Sequence, residues 1–282
     1  MIYLFLSILF STAISLIFKL LSHWKADNVQ AIFWNYCTCV VCGILLNSNQ
    51  ASHYLREEWS VIAILSGILF IVVFLMMAKT AQEYGVSVSV VSSKMAVIFP
   101  IIFGLVVAGE TMDFTTAIGI LLSIISVWLV ALSSGDAHRG HHFYIPLMVF
   151  IGSGLIDALL KFISWKFNSP DESAIAIHIF SGAAISGLIY LLLRRKPVSI
   201  ANVGYGILLG IPNFFSIYFL LKAISDPSLP SVVMFPVNNI GVVLLGTVLS
   251  VWIWKEPMSR RKRLGILLAM VSILLISLQL TH

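Results

Sequence analysis

Apolar residues fall in ten continuous runs, at 2–21, 29–47, 59–78, 87–108, 114–133, 144–165, 174–193, 203–221, 231–254 and 264–280. Each is near the roughly 20 residues that a helix needs to cross the hydrocarbon core of a bilayer. Breakers and polar residues separate them, among them Asp27-Asn28, Gly109-Glu110, Asn168-Ser169-Pro170, Asp226-Pro227 and Pro257. β-Barrel strands would instead alternate apolar and polar over about ten residues. The pattern therefore predicts ten transmembrane helices.

A second pattern lies above the first. Displacing the chain by 146 residues sets Glu110 on Glu256, Gly119 on Gly265 and Ser126 on Ser272, with Ile120-Leu121-Leu122 on Ile266-Leu267-Leu268. Apolar matches are cheap in a membrane protein, but Glu, Gly and Ser matches in one register are not. Upstream, slightly smaller displacements set Gly67 on Gly210, Lys79 on Lys222 and Lys19 on Lys161. The chain therefore reads as a duplication, with one repeat over 1–135 and the second over 143–282. Five spans per repeat is odd, so the second copy enters the membrane from the opposite side. Such inverted repeats build secondary transporters, with the substrate near the midplane between the copies. The expected motion rocks one five-helix copy against the other.

Composition agrees: 59% of residues are hydrophobic and 10% charged, too few polar groups to clothe a water-soluble surface. The formal net charge of +5 comes from short loops, so it reads as a topology signal and not as a nucleic-acid footprint. Loops after spans 1, 3, 5, 7 and 9 hold most of it, from Lys25 to the Arg260-Arg261-Lys262-Arg263 tract. The positive-inside tendency then places both termini outside. Cys37, Cys39 and Cys42 share one apolar run and read as reduced packing residues. Residues 2–22 lack a basic leader region and a small-residue cleavage site, so they read as a retained helix.

Two five-span copies, each with a Glu after its fourth span and a Gly-Ile-Leu-Leu opening to its fifth, resemble the drug/metabolite transporter superfamily, and within it the EamA-type proteins. The matching segments run from Pro100 to Glu110 with Gly119, and from Phe235 to Pro257 with Gly265. The resemblance implies spans 1–4 and 6–9 around a central cavity, with spans 5 and 10 peripheral and lipid-facing or facing a second copy. It also implies secondary transport, commonly export, of small metabolites, amino acids or drugs. Relatives in eukaryotes are drawn with cytosolic termini, opposite to the charge count. Small multidrug-resistance relatives carry a carboxylate in their first helix, where this chain has Ser15. The equivalent place in span 6 holds Asp157.

Ionisable groups at bilayer depth cost about 2.5–3.5 kcal/mol each on insertion scales and mark functional positions. Asp157 and Lys161 are four residues apart and share a helix face. Lys94 follows Ser92 and Ser93 in span 4, and Asn238 and Asn239 stand at the matching places of span 9. Asn213 follows Pro212, whose missing N–H frees a carbonyl one turn back. His178 and Asn35 complete the candidate binding residues, with Trp34 and Tyr84 as weaker candidates. Trp24, Trp59 and Trp165 at span ends suit an interfacial aromatic belt. Glu110 and Glu256 each precede a helix, whose N-terminus favours a carboxylate. His138, His141 and His142 read as a solvated loop. No phosphate-binding loop or hydrolase motif occurs, so the expectation is a transporter in the cell membrane, not an enzyme, with a non-transporting receptor or assembly subunit, or a flippase of lipid-linked substrates, as the alternative. Its partners are a small-molecule substrate, the bilayer and a possible second copy. Neither metal, cofactor nor nucleic acid is expected.

Overall fold

A computed structural model describes residues 2–46, 57–107, 113–132, 144–167, 172–195, 197–224 and 231–279. Every regular element among these is helical: α1 (Ile2–His23), α2 (Asn28–Leu46), α3 (Glu58–Glu83), α4 (Val86–Lys94), α5 (Ile98–Val106), α6 (Phe114–Leu132), α7 (Tyr144–Lys166), α8 (Glu172–Arg194), α9 (Ile200–Ile224), α10 (Ser231–Trp254) and α11 (Arg260–Gln279). A 3₁₀ turn, Met95–Val97, joins α4 to α5 within the fourth span. Nine spans among the described residues are long and apolar enough to cross a membrane, the fourth being Val86–Val106. The chain is a multi-pass membrane protein.

Local chemistry sets the helix starts. Asp27 accepts from the N–H groups of Val29 and Gln30 and caps α2, and Asp113 accepts from Thr116 N–H and caps α6. Hydrogen bonds from Thr115 and Thr116 hold the exposed Asp113 carboxyl below the usual carboxylate range. The hydroxyl of Ser259 accepts from Lys262 N–H. That cap starts α11 at Arg260, ahead of the apolar run, and winds four basic residues into its first turn.

Helices at matching places of the two halves meet in equivalent ways. α6 packs along α11, and the two run antiparallel. A Cβ at Gly119 would lie 2.8 Å from Ile276, and Ser272 donates to the Gly119 carbonyl at 2.7 Å. At the other end a Cβ on Gly265 would lie 3.0 Å from the Ser126 carbonyl. These fifth spans thus cross in opposite senses, as inversion requires. They pack chiefly on each other, while Leu121, Ile124 and Trp128 of α6 and Leu267 and Leu274 of α11 face outward.

The remaining helices form two clusters that mix the repeats. In one, α1, α2 and α10 pack on α9, and α1 also meets α10. In the other, α7, α8 and α4 pack on α3, and α4 and α5 meet α7. Exchanging each helix for its repeat mate turns one cluster into the other. Gly67 and Gly210, matched in the sequence, have equivalent tasks. Gly67 brings α3 onto the backbone of α8 at Gly182 and Ala183, and Gly210 brings α9 onto α2 at Asn35 and Thr38. A seam separates the clusters, crossed by contacts of α2 with α8, α4 with α10 and α1 with α3.

Candidate functional site

The fourth span is broken in mid-membrane. Pro100 has no N–H to offer the Ala96 carbonyl, and its ring crowds the preceding turn. The chain answers with the 3₁₀ turn at Met95–Val97, and α5 restarts at Ile98. Lys94 is the last residue of α4, at this break. The sequence reading placed no break here, although Pro100 marks it. Pro212 drew that expectation instead, yet α9 runs unbroken from Ile200 to Ile224 around it.

α7 lies directly against the break. A Cβ on Gly154 would collide with the Phe99 ring, and Phe150 meets Phe99 edge-on at 5.3 Å. Asp157 is three residues beyond Gly154, on the stripe facing the fourth span. Each of Asp157 and Lys94 feels the other's charge. Both are described residues, both are half-buried, and no ion pair within 4.0 Å joins them. The expected pairing of Asp157 with Lys161 on its own helix gives way to this coupling between the repeats. Lys161 makes an interaction of its own. Ser93 turns its hydroxyl back to the Val90 carbonyl at 3.1 Å, while the buried Ser92 hydroxyl has no hydrogen-bond partner.

A second polar set lines the other cluster. Ser7 Oγ donates to the Ser216 carbonyl (2.8 Å) and lies 3.1 Å from Asn238 Oδ1. Ser216 donates to the Asn213 carbonyl at 2.8 Å, and Asn213 Nδ2 donates to Asn35 Oδ1 at 3.1 Å. Cys39 adjoins them, accepting from Asn213 and donating to the Gly210 carbonyl, both at 3.5 Å. The chain of contacts ties α10, α1, α9 and α2 together. It satisfies most of what it buries, though Asn35 Nδ2 is buried with no partner. Asn238, Asn213 and Asn35 thus meet in one network, and half-buried Asn239 sits beside it. Ser7 and Ser216 are members that sequence reasoning missed, since a serine in an apolar run carries little signal by itself.

His178 lies apart. It is 4% exposed, gives its Nδ1 hydrogen to the Ala174 carbonyl at 2.7 Å and packs edge-on against Trp59 at 5.1 Å. Trp59 is therefore buried against α8 and not part of an interfacial belt, whereas Trp165 is exposed and Trp24 stacks on Tyr205 at 5.0 Å.

Glu256 does not serve its own helix. It is 7% exposed, and it accepts from Val86 N–H at 2.6 Å and Ser87 Oγ at 2.8 Å, at the start of α4 in the other repeat. Lys262 of α11 closes an ion pair with it at 3.1 Å. Burial pushes the Glu256 carboxyl up, but the Lys262 charge and these hydrogen bonds outweigh it and hold the group below its ordinary value. Glu110 and the three loop histidines His138, His141 and His142 lie outside the described residues. Among the described residues no group of three or more His, Cys, Asp or Glu gathers as a metal site.

Comparison with known proteins agrees with this architecture. The chain is 29% identical over 279 residues to an uncharacterised protein of Haemophilus influenzae, covering 96% of this chain and 95% of the relative. It superposes on a crystal structure at a TM-score of 0.59, over 100% of this chain and 98% of the other, with 15% identity. At that identity the likeness concerns the fold alone. Over residues 1–132 the chain matches the EamA-like transporter family, in keeping with the drug/metabolite transporter superfamily it resembles.

Proposed function

We propose that the protein is a secondary transporter that exports a small metabolite, amino acid or drug across the cytoplasmic membrane, with its two repeats at 1–135 and 143–282. Lys94 and Asp157 form the charged wall of its substrate site, beside Ser93. Asn35, Asn213, Asn238 and Asn239 form an amide wall, while Lys161 and His178 support the helices. The observation that carries this reading is the open pair. Two opposite charges in hydrocarbon reduce their desolvation penalty by closing into contact. Lys94 and Asp157 couple without closing, and both keep accessible surface. Such a pair is stable where water or a polar solute stands between them. The helix break adds free backbone groups at the same depth, a common feature of transport sites.

The test compares the metabolites that cells release when they express the wild type, Asp157→Asn, Lys94→Met or no transporter. Wild-type cells are expected to enrich the medium in one or a few polar solutes. Each variant should reduce that release at least about tenfold, since each removes a charged contact. Release by wild-type cells equal to that of cells without the protein would overturn the transporter reading. Wild-type release from both variants would remove the charged wall from the site.

A further inference from the structure

We propose that Glu256 is a latch that holds the lysine- and arginine-rich face of the seam shut, and that opening of this face requires its release; the proposal rests on the transporter reading above. Lys255, at φ 50, turns the chain sharply after α10 and carries Glu256 across the seam. There the carboxylate meets the positive N-terminal end of α4 through Val86 N–H and Ser87 Oγ. Gly85 makes this approach possible. Its φ is 105, which only glycine adopts without strain, and a Cβ there would lie 2.6 Å from the carboxylate.

The latch connects α10 of one cluster to α4 of the other. Further bridges span the seam on the same face: Lys19 donates to the Gln82 carbonyl at 2.8 Å, and the side chains of Gln82 and Asn28 bond at 3.0 Å. The charged groups around Glu256 are Lys262 from α11 and Lys19 from α1. Beneath the latch, a Cβ on Gly246 of α10 would lie 3.2 Å from Val90 of α4, so α4 and α10 close tightly there. Val86, Val90 and Lys94 are spaced four apart, one stripe of α4. That stripe carries the latched N–H, the tight seam and the site lysine in turn. Parting the seam at Glu256 would wet Val90 and then Lys94.

The chemistry suits a joint that opens. The joints inside each cluster are close glycine crossings, as at Gly67 and Gly210, and neutral hydrogen bonds such as Asn213 to Asn35. A carboxylate, an ammonium and a helix end at the edge of the membrane can instead exchange each other for water at modest cost.

The experiment uses the full chain with Cys37, Cys39 and Cys42 replaced by alanine and Val90→Cys as reporter, in sealed membrane vesicles of each orientation. The probe is a membrane-impermeant cationic methanethiosulfonate. Adding Glu256→Gln should raise the rate of labelling from the basic face by about tenfold, the worth of one charge-assisted hydrogen bond. Lys262→Met should raise it in the same direction. If Glu256→Gln fails to fold, Glu256→Asp, which keeps the charge but shortens the reach, replaces it and should also accelerate labelling. Labelling at the background rate in these variants, or acceleration only from the opposite face, overturns the latch. No substrate is needed, so a protein that opens in this way yet releases no solute would preserve the latch while refuting the transporter reading.

Discussion

The glycines at the helix crossings allow a graded test of the architecture. Gly67 of α3 faces backbone alone: a Cβ there would lie 2.5 Å from the Gly182 carbonyl carbon and 2.6 Å from the Ile179 carbonyl oxygen. Carbon contacts are comfortable at about 3.5–4.0 Å. No side chain can turn aside, so α3 and α8 must separate by roughly an ångström along a buried crossing. Gly67→Ala is therefore expected to cost about 2–3 kcal/mol, near the top of the range for overpacked sites. Gly210→Ala, its repeat mate, meets the Asn35 carbonyl at 2.7 Å and the Thr38 side chain at 2.6 Å. The Thr38 atom is its Cβ, fixed to the α2 backbone like the carbonyl, so α2 and α9 must part in turn and the expected cost is again about 2–3 kcal/mol. Gly246→Ala approaches only Val90, at 3.2 Å, and should be close to neutral. Gly204 has nothing within 4 Å, and alanine there should stabilise by up to about 1 kcal/mol through helix propensity. Reversible unfolding in mixed micelles, followed by circular dichroism, reads all four. Equal stability of Gly67→Ala and Gly204→Ala would refute the close α3–α8 crossing, and with it the equivalence of Gly67 and Gly210.

Two further outcomes follow from the polar groups. Asn213→Leu should destabilise by about 1–3 kcal/mol, because it leaves the buried Asn35 Oδ1 with only the weak Cys39 thiol contact at 4.0 Å; the double variant Asn35→Leu/Asn213→Leu, measured by the same unfolding, should cost less than the sum of the single changes. The Glu256 carboxyl lies below its ordinary value, so its ionised contacts are complete at neutral pH and are lost as pH falls through that depressed value. The labelling rate of the Val90→Cys reporter falls with its thiolate fraction as pH falls, so the reading is the ratio of rates with and without Glu256→Gln, in which that fraction cancels. The ratio should be constant around neutral pH and shrink toward one once pH drops through the depressed Glu256 value; a ratio that stays unchanged into acid would assign the closure to another group.

Fold and topology were legible because lipid imposes a strong code. A span needs a long apolar run, and nine such spans stand among the described residues. The matched residues Gly119, Gly265, Ser126 and Ser272 are small residues where α6 and α11 touch, so the positions that suggested a repeat are ones where size is critical. Partnerships were harder to read. Spacing suggested Lys161 for Asp157, since sequence displays neighbours on one helix but not those on the next. Lys94 comes within range of the Asp157 charge where Pro100 breaks the fourth span and Gly154 lets α7 settle on the break. Glu256 was read as serving a helix N-terminus, and it does, but α4 of the opposite repeat takes the place of α11. Trp59 sits at the end of an apolar run, and only the packing of α3 on α8 reveals that His178 covers it.

The mixing of the two repeats bears on how such a protein could move. If one five-span copy rocked as a body against the other, α2 would have to leave α9 and α3 would have to leave α8. The first parting breaks the Asn35–Asn213 bond and the second opens backbone contacts at Gly67 and Gly182. Buried polar groups would be orphaned in hydrocarbon, where each costs several kcal/mol. Motion along the seam spares these joints, because each cluster keeps its own crossing. It must break the contacts of Glu256 with α4 and of Lys19 and Asn28 with Gln82, which lie at the membrane edge where water can replace them; deeper in the seam it also loosens the bond from the Tyr36 hydroxyl to the Phe70 carbonyl (3.0 Å) and the packing of α2 on α8. In the site proposed above, the charged wall of Lys94 and Asp157 belongs to one cluster, and the amides of Asn35, Asn213 and Asn238 to the other. Sliding or tilting at the seam then changes what lies between the walls while leaving each wall intact, which is the geometry that alternating access requires of a binding site.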